Sequence, residues 1–464
     1  MLKKKEVNML SGSIVKGLLT IAFPIMIMNV LQSLFNIVDM TVLKTYDTDG
    51  MSVGAVGACG TLITLISNLV IGVATGANAV VAKHLGRRDT FHAERAAGTA
   101  FAFSIVAGVT LTVIGVSCAE LFLSWVNCPD QLMSRAVLYF RLYFAGIPLL
   151  MVYNFCSAIL RSSGNSAQIM KISITGGVVK LISTYLFVAV FRMGIPGVSA
   201  ATIVSWLVYL LMGLYSVTRK DSAVRIQRCN IRFLKDELKA ILHIGVPTGL
   251  QMGLYSIANV IIAATVNSFG PAATTGISIA NTFDGVMYNV SHSASLAVLP
   301  YVSQNLGAGN VKRATESVWK GILVTVCIGG SLGALSAIFA PQLSSLMSDD
   351  ATVIKYACQK MVLISSTYFI CGINDVFSSA LRGMGRPMVP TVTTLIFMCA
   401  FRFFWVYVVF PLVPNLTFLY LVWPIGWIAC IIIALFVFFP RVKQLKAQHP
   451  EVQHPEVQVC ERLQ

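Results

Sequence analysis

Five ionisable side chains lie deep within long apolar stretches of the sequence: Asp39, Lys180, Asp284, Asp375 and Arg402. A charge near the middle of a bilayer costs about 2.5–3.5 kcal/mol on insertion scales, so such residues usually pair with one another or face a watery cavity. A buried carboxylate can bind and release a proton or a sodium ion when its surroundings change. Asp39, Lys180, Asp284 and Asp375 therefore predict cation coupling. The alternative is that they form buried pairs that only fix helix register.

Uncharged polar residues accompany these charges at helical spacing. Gln32, Asn36 and Asp39 follow one another at intervals of four and three residues, which places them on one helix face. The other candidates for binding a small molecule are Tyr153, Asn154, Gln251, Asn259 and Arg402. Any one of them is equally explained as a hydrogen-bond contact between helices. Their recurrence at equivalent places in the chain predicts a shared central cavity.

The composition indicates a membrane protein with many spans. The chain has 464 residues, of which 56% are hydrophobic and only 11% charged, and its mean hydropathy is +0.77. A soluble domain carries about 25% charged residues. The apolar runs are too long and too uniform for barrel strands and suit helices of about 20 residues or more. Twelve spans are predicted, at 17–43, 52–82, 96–123, 136–160, 169–191, 196–217, 240–268, 273–303, 317–346, 352–381, 389–411 and 416–439.

The basic residues are distributed unevenly about these spans. Of the 34 Lys and Arg residues, 25 fall at the termini and after even-numbered spans, and 6 fall after odd-numbered spans, Lys360 among them. The positive-inside rule then predicts a multi-pass protein of the plasma (cell inner) membrane with both termini in the cytoplasm. The net charge of +15 needs no nucleic acid to explain it. We expect a monomer that contacts membrane lipid and small-molecule substrates.

The chain repeats itself with a nearly constant offset. The segment "KGLLTIAFP" (16–24) parallels "KAILHIGVP" (239–247), and "FCSAILRSSGN" (155–165) parallels "VFSSALRGMGR" (376–386). Six spans per half is an even number, so the halves share one orientation and are related by a pseudo-twofold along the membrane normal. The predicted fold is an all-α membrane protein with two six-helix lobes, 1–218 and 240–440. A basic cytoplasmic amphipathic linker, expected as a surface helix, covers 219–239, and a disordered tail covers 441–464.

Motifs for enzyme chemistry or nucleotide hydrolysis are missing from the sequence. It contains no HExxH, GxxxxGK[ST] or GxSxG, and no His/Cys cluster has the spacing of a metal site. We therefore expect neither a membrane enzyme nor an ATP-driven pump, and no cofactor or metal. Energy for any transport would come from an ion gradient.

Several long motifs, in order, resemble the multidrug and toxic compound extrusion (MATE) family over about residues 14–440. They include "LFNIVDMTVL", "YNFCSAILRSSGNS", "QNLGAGN" and "CGINDVFSSALRGMGRPMVP". The resemblance implies twelve helices, a V-shaped central cavity, and export of amphiphilic, often cationic compounds in exchange for H⁺ or Na⁺. It also implies that Asp39 is the main coupling residue, that Asp284 and Asp375 are the second-lobe acids, and that the first helix can bend at Pro24.

One departure from the family pattern leads to a specific hypothesis. Lys180 and Thr184 stand where many members carry an Asn and an Asp, which argues against a conventional sodium site in the first lobe. We expect Lys180 to lie opposite Asp39 as a tethered cation that a proton would release. The competing functions are a lipid-linked precursor flippase, a channel and a membrane enzyme. A flippase would have more spans and a strongly cationic cavity, whereas the sequence suggests three acids against two bases.

Overall fold

The computed structural model describes residues 7–46, 51–126 and 128–448, and within them the chain is almost wholly helical, with no strand. Two short helices, Ala119–Trp125 and Ala340–Ser345, lie between longer ones. Twelve long helical segments follow one another as α1 Ile14–Tyr46, α2 Met51–Gly86, α3 Thr90–Ser117, α4 Asp130–Ser162, α5 Ser166–Val190, α6 Gly194–Thr218, α7 Lys235–Asn267, α8 Pro271–Gly307, α9 Val311–Ile338, α10 Ala351–Gly383, α11 Met388–Leu412 and α12 Leu416–Gln448. The predicted fold class is confirmed.

Ten helices in the described ranges are long and apolar enough to cross a membrane. The helix α8 is not among the ten; α7 is not either, because some of its side chains lie outside what the structure describes. The helix α8 carries Asn281, Asp284 and His292, which lowers its mean hydropathy, and all three face a cavity between the halves. A helix that lines a polar cavity exchanges part of its apolar surface for polar side chains, so hydropathy alone misses α8.

The internal repeat of the sequence reappears in the order of the helices. Lys235 begins α7 221 residues after Ile14 begins α1, and Val311 begins α9 221 residues after Thr90 begins α3. Even the helix caps correspond. The side chain of Asp89 accepts a hydrogen bond from the backbone of His92 at the start of α3, and Asn310 accepts one from Arg313 at the start of α9. The backbone N–H of His92 holds the pKa of the Asp89 carboxyl below its usual value.

The linker between the halves is not the predicted surface helix. Residues 219–234 are irregular apart from the short turn Arg228–Asn230, and α7 already begins at Lys235. Val224 and Ile226 are buried against the first half. Their spacing of two residues suits an extended segment, whereas an amphipathic helix would bury residues three or four apart. At the other end, α12 continues to Gln448, so 441–448 of the predicted tail is helical; residues 449–464 lie outside the described ranges.

The helices α1 and α7 each cross from one half to the other. The beginning of α1, including Ile14, Leu18 and Ile21, packs in a core with α8, α10 and α12, whereas Leu43 near its end packs with the first half. The helix α7 does the reverse: Ile241 and Ile244 pack with the first half and later residues with the second. The first turns of these two helices therefore join the lobes.

The halves touch closely through glycines on α2 and α7. A Cβ atom at Gly72 would lie 2.2 Å from the Gly249 Cα atom, and one at Gly76 would lie 2.1 Å from the Ile241 carbonyl oxygen. Further along, Gly86 lies against the Gln304 backbone of α8. These contacts all lie toward the end of the molecule at which α1 starts and α12 ends. The absence of side chains lets the helix backbones approach, which closes this end of the interface.

Candidate functional site

A cavity of about 940 Å³ lies between the two halves, in the size range of sites for drug-sized ligands. Five helices of the first half and their five counterparts in the second half line it, whereas no described residue of α3 or α9 does. The glycine contacts between α2 and α7 lie between this cavity and the end of the molecule at which α1 starts. We call it the central cavity; it corresponds to the shared cavity expected from the recurring polar residues.

Asp39 and Lys180 form an ion pair between α1 and α5. The Lys180 Nζ atom lies 2.5 Å from Asp39 Oδ2, and the Thr184 hydroxyl donates a hydrogen bond of 2.8 Å to Asp39 Oδ1. Asp39 and Thr184 are buried, and Lys180 lines the central cavity. Lys180 therefore lies where the sequence hypothesis placed it, and Thr184, one turn later on α5, reaches the second carboxylate oxygen.

A second ion pair lies in the other half. The Lys360 Nζ atom of α10 lies 2.9 Å from Asp284 Oδ2 of α8 and also donates to the side chain of Asn281. The Lys360 ammonium lies 5.9 Å from the centre of the Trp423 ring, within cation–π distance. Asp284 and Lys360 are both buried, so each neutralises a charge that would otherwise be costly.

Asp375 pairs with a histidine that the sequence reasoning did not consider. The His292 Nδ1 atom of α8 lies 2.9 Å from Asp375 Oδ2 of α10, and the His292 ring stacks on Tyr288 with the ring centres 5.3 Å apart. Both residues line the central cavity. The pair therefore places an imidazole ring beside a carboxylate at the wall of the cavity.

Two arginines of the second half hydrogen-bond to amides on α7. The Arg402 Nη1 atom donates 2.7 Å to Asn259 Oδ1, and the guanidinium lies 5.3 Å from the Trp423 ring centre. The Arg382 Nη2 atom donates 2.6 Å to Gln251 Oε1. The Nε atoms of both arginines are buried without a described hydrogen-bond partner. The amides thus orient two cations at the cavity while leaving part of each donor fork unused.

The remaining predicted residues are placed as follows. Gln32, Tyr153 and Asn154 line the central cavity. The Tyr153 hydroxyl bonds the Ser173 hydroxyl at 3.0 Å, and Asn154 donates to the Leu150 carbonyl of its own helix. Pro24 lies inside the continuous helix α1. The side chain of Asn36 lies outside what the structure describes.

The charge balance of the cavity differs from the prediction of three acids against two bases. Lys360, counted from the sequence as a loop residue, is buried in α10. Arg161 and Arg382, also counted as loop residues, lie in the last turns of α4 and α10 and line the cavity. The helices extend a few residues past the apolar runs, because their polar ends face the cavity and not lipid.

A helical period on α10 contains the signal that the hydropathy reading missed. The residues that line the cavity there recur every three or four positions: Lys360, Ile364, Tyr368, Cys371, Asp375, Ser378 and Arg382. Such a stripe marks one face of a helix. Starting from Asp375 and stepping back by turns would have reached Lys360.

Comparison with known proteins adds a family. The MatE family model matches residues 24–186 and 247–408, one match in each half. The probable multidrug resistance protein YoeA of Bacillus subtilis is 24% identical over 382 residues, 80% of this chain and 82% of that protein. The FAD transporter of Shewanella oneidensis is 24% identical over 398 residues, 84% of this chain and 87% of that protein.

Solved structures show the same fold. A MOP superfamily transporter from Pyrococcus furiosus, whose binding pocket is described as having reverse polarity, superposes with a TM-score of 0.88 at 21% identity. The match covers 96% of this chain and 100% of that one. Because the MatE model matches both halves and more than half of the chain, the protein belongs to the MATE family of multidrug transporters.

Proposed function

We propose that the protein is a secondary active antiporter that exports small amphiphilic molecules in exchange for protons. The relatives are named for multidrug resistance and FAD transport, which supports small organic molecules as cargo. The observation that carries proton coupling is the ion pair of Asp39 and Lys180. A lysine ammonium already stands beside the carboxylate at which a coupling cation would bind.

A proton suits this site better than a sodium ion does. Sodium would need several oxygen ligands around Asp39, yet the Lys180 ammonium occupies one carboxylate oxygen and repels a second cation. A proton needs no such set of ligands. Binding of a proton neutralises Asp39, removes its attraction to Lys180 and so loosens α1 from α5. Among the described residues, Tyr139 and Tyr209 are also close enough to interact electrostatically with Asp39.

The helix α1 can carry this change to the rest of the molecule. Its end holds Asp39 and packs with the first half, whereas its beginning packs in the core of the second half. Loosening one end therefore alters how the two halves are joined. A cavity closed at one end by contacts between two repeats is the arrangement expected for alternating access, and it favours a transporter over a channel.

The orientation in the membrane follows from the basic residues. We propose that the end at which the halves touch faces the cytoplasm, because most Lys and Arg residues lie at that end. The central cavity then opens toward the outside of the plasma membrane. In the proposed cycle this is the state that releases cargo and receives a proton.

The proposal is tested in proteoliposomes with imposed H⁺ or Na⁺ gradients and a panel of fluorescent dyes of both charges. The wild type should move a dye with the H⁺ gradient alone. The Asp39→Asn variant should lose gradient-driven movement by at least tenfold while still inserting, since it also removes a charge that is costly to insert. Asp221→Asn, at an exposed acid of the linker, is the control and should behave as the wild type.

Two results would contradict proton coupling through Asp39. Movement of the Asp39→Asn variant at the wild-type rate would exclude Asp39. Dependence of the wild type on a sodium gradient, without any response to pH, would exclude the proton. Translocation of a labelled lipid in preference to every soluble dye would favour the flippase instead.

A further inference from the structure

We infer that the substrate is an amphiphilic organic anion, with a planar aromatic body and a carboxylate, sulfonate or phosphate group, that enters the central cavity as a free solute. This inference rests on the proposed export function and specifies its substrate class. It departs from the cationic compounds that the family resemblance implies. The carrying observation is an excess of basic side chains that no carboxylate of the described residues neutralises.

The basic side chains that line the central cavity outnumber the acidic ones. The acids are Asp284 and Asp375, and the buried Asp39 lies beside the cavity. The bases are Arg161, Lys180, Lys360, Arg382 and Arg402, and His292 is a sixth when it is protonated.

Ion pairing leaves the excess concentrated on three arginines. The three carboxylates each have a basic partner of their own, namely Lys180, Lys360 and His292. Within the described ranges, no carboxylate lies within 4.0 Å of a guanidinium nitrogen of Arg161, Arg382 or Arg402. A buried cation without a counter-ion is costly, so an anion that enters the cavity would be stabilised there.

Two of these arginines lie at the floor of the cavity. Arg161 and Arg382 are 221 residues apart and occupy equivalent places near the ends of α4 and α10. Next to Arg161, the Gln304 side chain donates a hydrogen bond to the Ser162 carbonyl across the two halves. Arg382 is bound to Gln251, two residues after the Gly249 contact with α2. An anion at the floor would therefore meet one guanidinium from each half.

The geometry of the arginines suits an oxyanion. Arg382 makes a hydrogen bond through Nη2 to Gln251, and its buried Nε has no partner among the described residues. Within the same part of the chain, Arg161 makes only a long contact of 3.4 Å to the Ser157 carbonyl of its own helix. A planar guanidinium matches carboxylate and phosphate groups with two parallel hydrogen bonds, whereas it repels a cation.

Aromatic side chains supply the amphiphilic part of the site. Tyr153 and Tyr209 stack with ring centres 4.8 Å apart in the first half, and Tyr288 stacks on His292 in the second. Trp423 lies under both Lys360 and Arg402. Planar rings bind by stacking on such side chains and cost little conformational entropy on binding. The cavity thus combines flat apolar walls with a cationic floor.

The test compares dyes that share one ring system and differ in charge. Carboxyfluorescein is the anion and rhodamine 123 the cation, and binding to purified full-length protein in detergent is followed by fluorescence anisotropy without any gradient. We expect carboxyfluorescein to bind at least tenfold more tightly, and more weakly as salt is raised. Binding of a lipid-anchored fluorescein is measured as well. Its comparison with free carboxyfluorescein shows whether the site prefers a free anion or a lipid head group.

Arg161→Gln is the informative variant because Arg161 makes no hydrogen bond to a described residue outside its own helix. Loss of one charge-assisted contact should weaken binding of carboxyfluorescein by about tenfold to a hundredfold and leave rhodamine 123 binding equal or stronger. Arg141→Gln removes the same charge from an exposed site paired with Glu120 and should change neither. The melting temperature of each purified variant shows whether it remains folded. Gln304→Ala, which removes a hydrogen bond beside the floor without changing the charge, is measured for comparison.

Tighter binding of rhodamine 123 than of carboxyfluorescein overturns the inference, as does an Arg161→Gln variant that melts like the wild type and binds both dyes unchanged. Preference for the lipid-anchored dye over the free dye overturns the choice of a free solute. These results are independent of proton coupling. A cationic dye that is pumped with the H⁺ gradient leaves the proposed antiport standing, whereas anion binding without gradient-driven movement leaves the substrate class standing.

Discussion

At the residue scale, the proposed coupling site of the first half consists of three side chains. Asp39 is held by Lys180 on one carboxylate oxygen and by Thr184 on the other. A carboxylate at this depth is tolerated because both its charge and its hydrogen-bonding capacity are satisfied. The same contacts make the carboxylate sensitive to protonation, since neutralising either Asp39 or Lys180 breaks the ion pair.

We expect Lys180→Ala to shift the pH profile of efflux upward or to create a sodium dependence. Removal of one partner of a buried ion pair costs about 3–5 kcal/mol, and Asp39 can recover part of this by binding a proton or another cation. The pH and sodium dependence of dye movement in proteoliposomes measures the effect. The double variant with Asp39→Asn should match the Asp39 single variant. Unchanged pH dependence, sodium dependence and rate would make Lys180 a structural residue.

We expect His292→Gln to retain proton-driven efflux and to show the same dependence of rate on pH as the wild type. His292 and Asp375 form a second titratable pair in the cavity, but the proposed coupling site is Asp39. The rate of dye movement is measured against external pH for the wild type and the variant, with Asp39→Asn alongside. If His292→Gln abolishes the response to pH, the proton binds in the second half.

At the scale of helices, α1 and α7 have a different role from the others. Each starts in the core of the opposite half and ends in its own. Their prolines, Pro24 and Pro247, lie inside these helices near the crossing. A proline removes one backbone hydrogen bond, so these are the places where either helix is easiest to bend.

We expect Gly72→Ala to destabilise the contact between α2 and α7. The added Cβ would lie 2.2 Å from the Gly249 backbone, which cannot yield as a flexible side chain could. Overpacking of this kind costs about 1–3 kcal/mol, and the melting temperature of the purified protein should fall. Gly330→Ala is the matched control, with no described atom within 4 Å of the added Cβ; it should melt at the wild-type temperature or slightly higher. Equal melting of both variants would contradict this account of the contact.

At the scale of the molecule, two repeats in one orientation enclose one cavity. Equivalent helices line it from both sides, and the contacts between the halves lie at one end. The repeats have diverged in charge, since Lys180 pairs with the first helix of its half, whereas Lys360 of α10 pairs with α8. The structural symmetry therefore does not extend to the ion pairs.

We expect single cysteines at Asp221 and Asp349 to react with an impermeant maleimide from opposite sides. In a cysteine-free background, Asp221→Cys should label only from the cytoplasm and Asp349→Cys only from outside, because most basic residues lie on the side of Asp221. Labelling is measured in intact cells and in inverted vesicles. Reaction of both positions from the same side would refute the proposed orientation and the twelve-span count.

The sequence by itself determined the class, the number of helices and the repeat. Apolar runs of about 20 residues and an offset of 221 are local properties of the chain, and the bilayer converts each run into a helix. The sequence also identified five buried charges, because a charged residue inside an apolar run is recognisable without any structure. They are Asp39, Lys180, Asp284, Asp375 and Arg402.

Only the tertiary structure decided which charges share the cavity. Arg161 and Arg382 lie just past the ends of predicted spans and Lys360 lies in the first part of one, and the sequence reading counted all three as loop residues. His292 lies among other polar residues of α8, from which the sequence does not distinguish it. Whether such a side chain faces lipid, water or a partner depends on how helices distant in sequence pack. That packing placed Lys360 against Asp284, left three arginines without a described carboxylate partner, and so reversed the expected charge balance of the site.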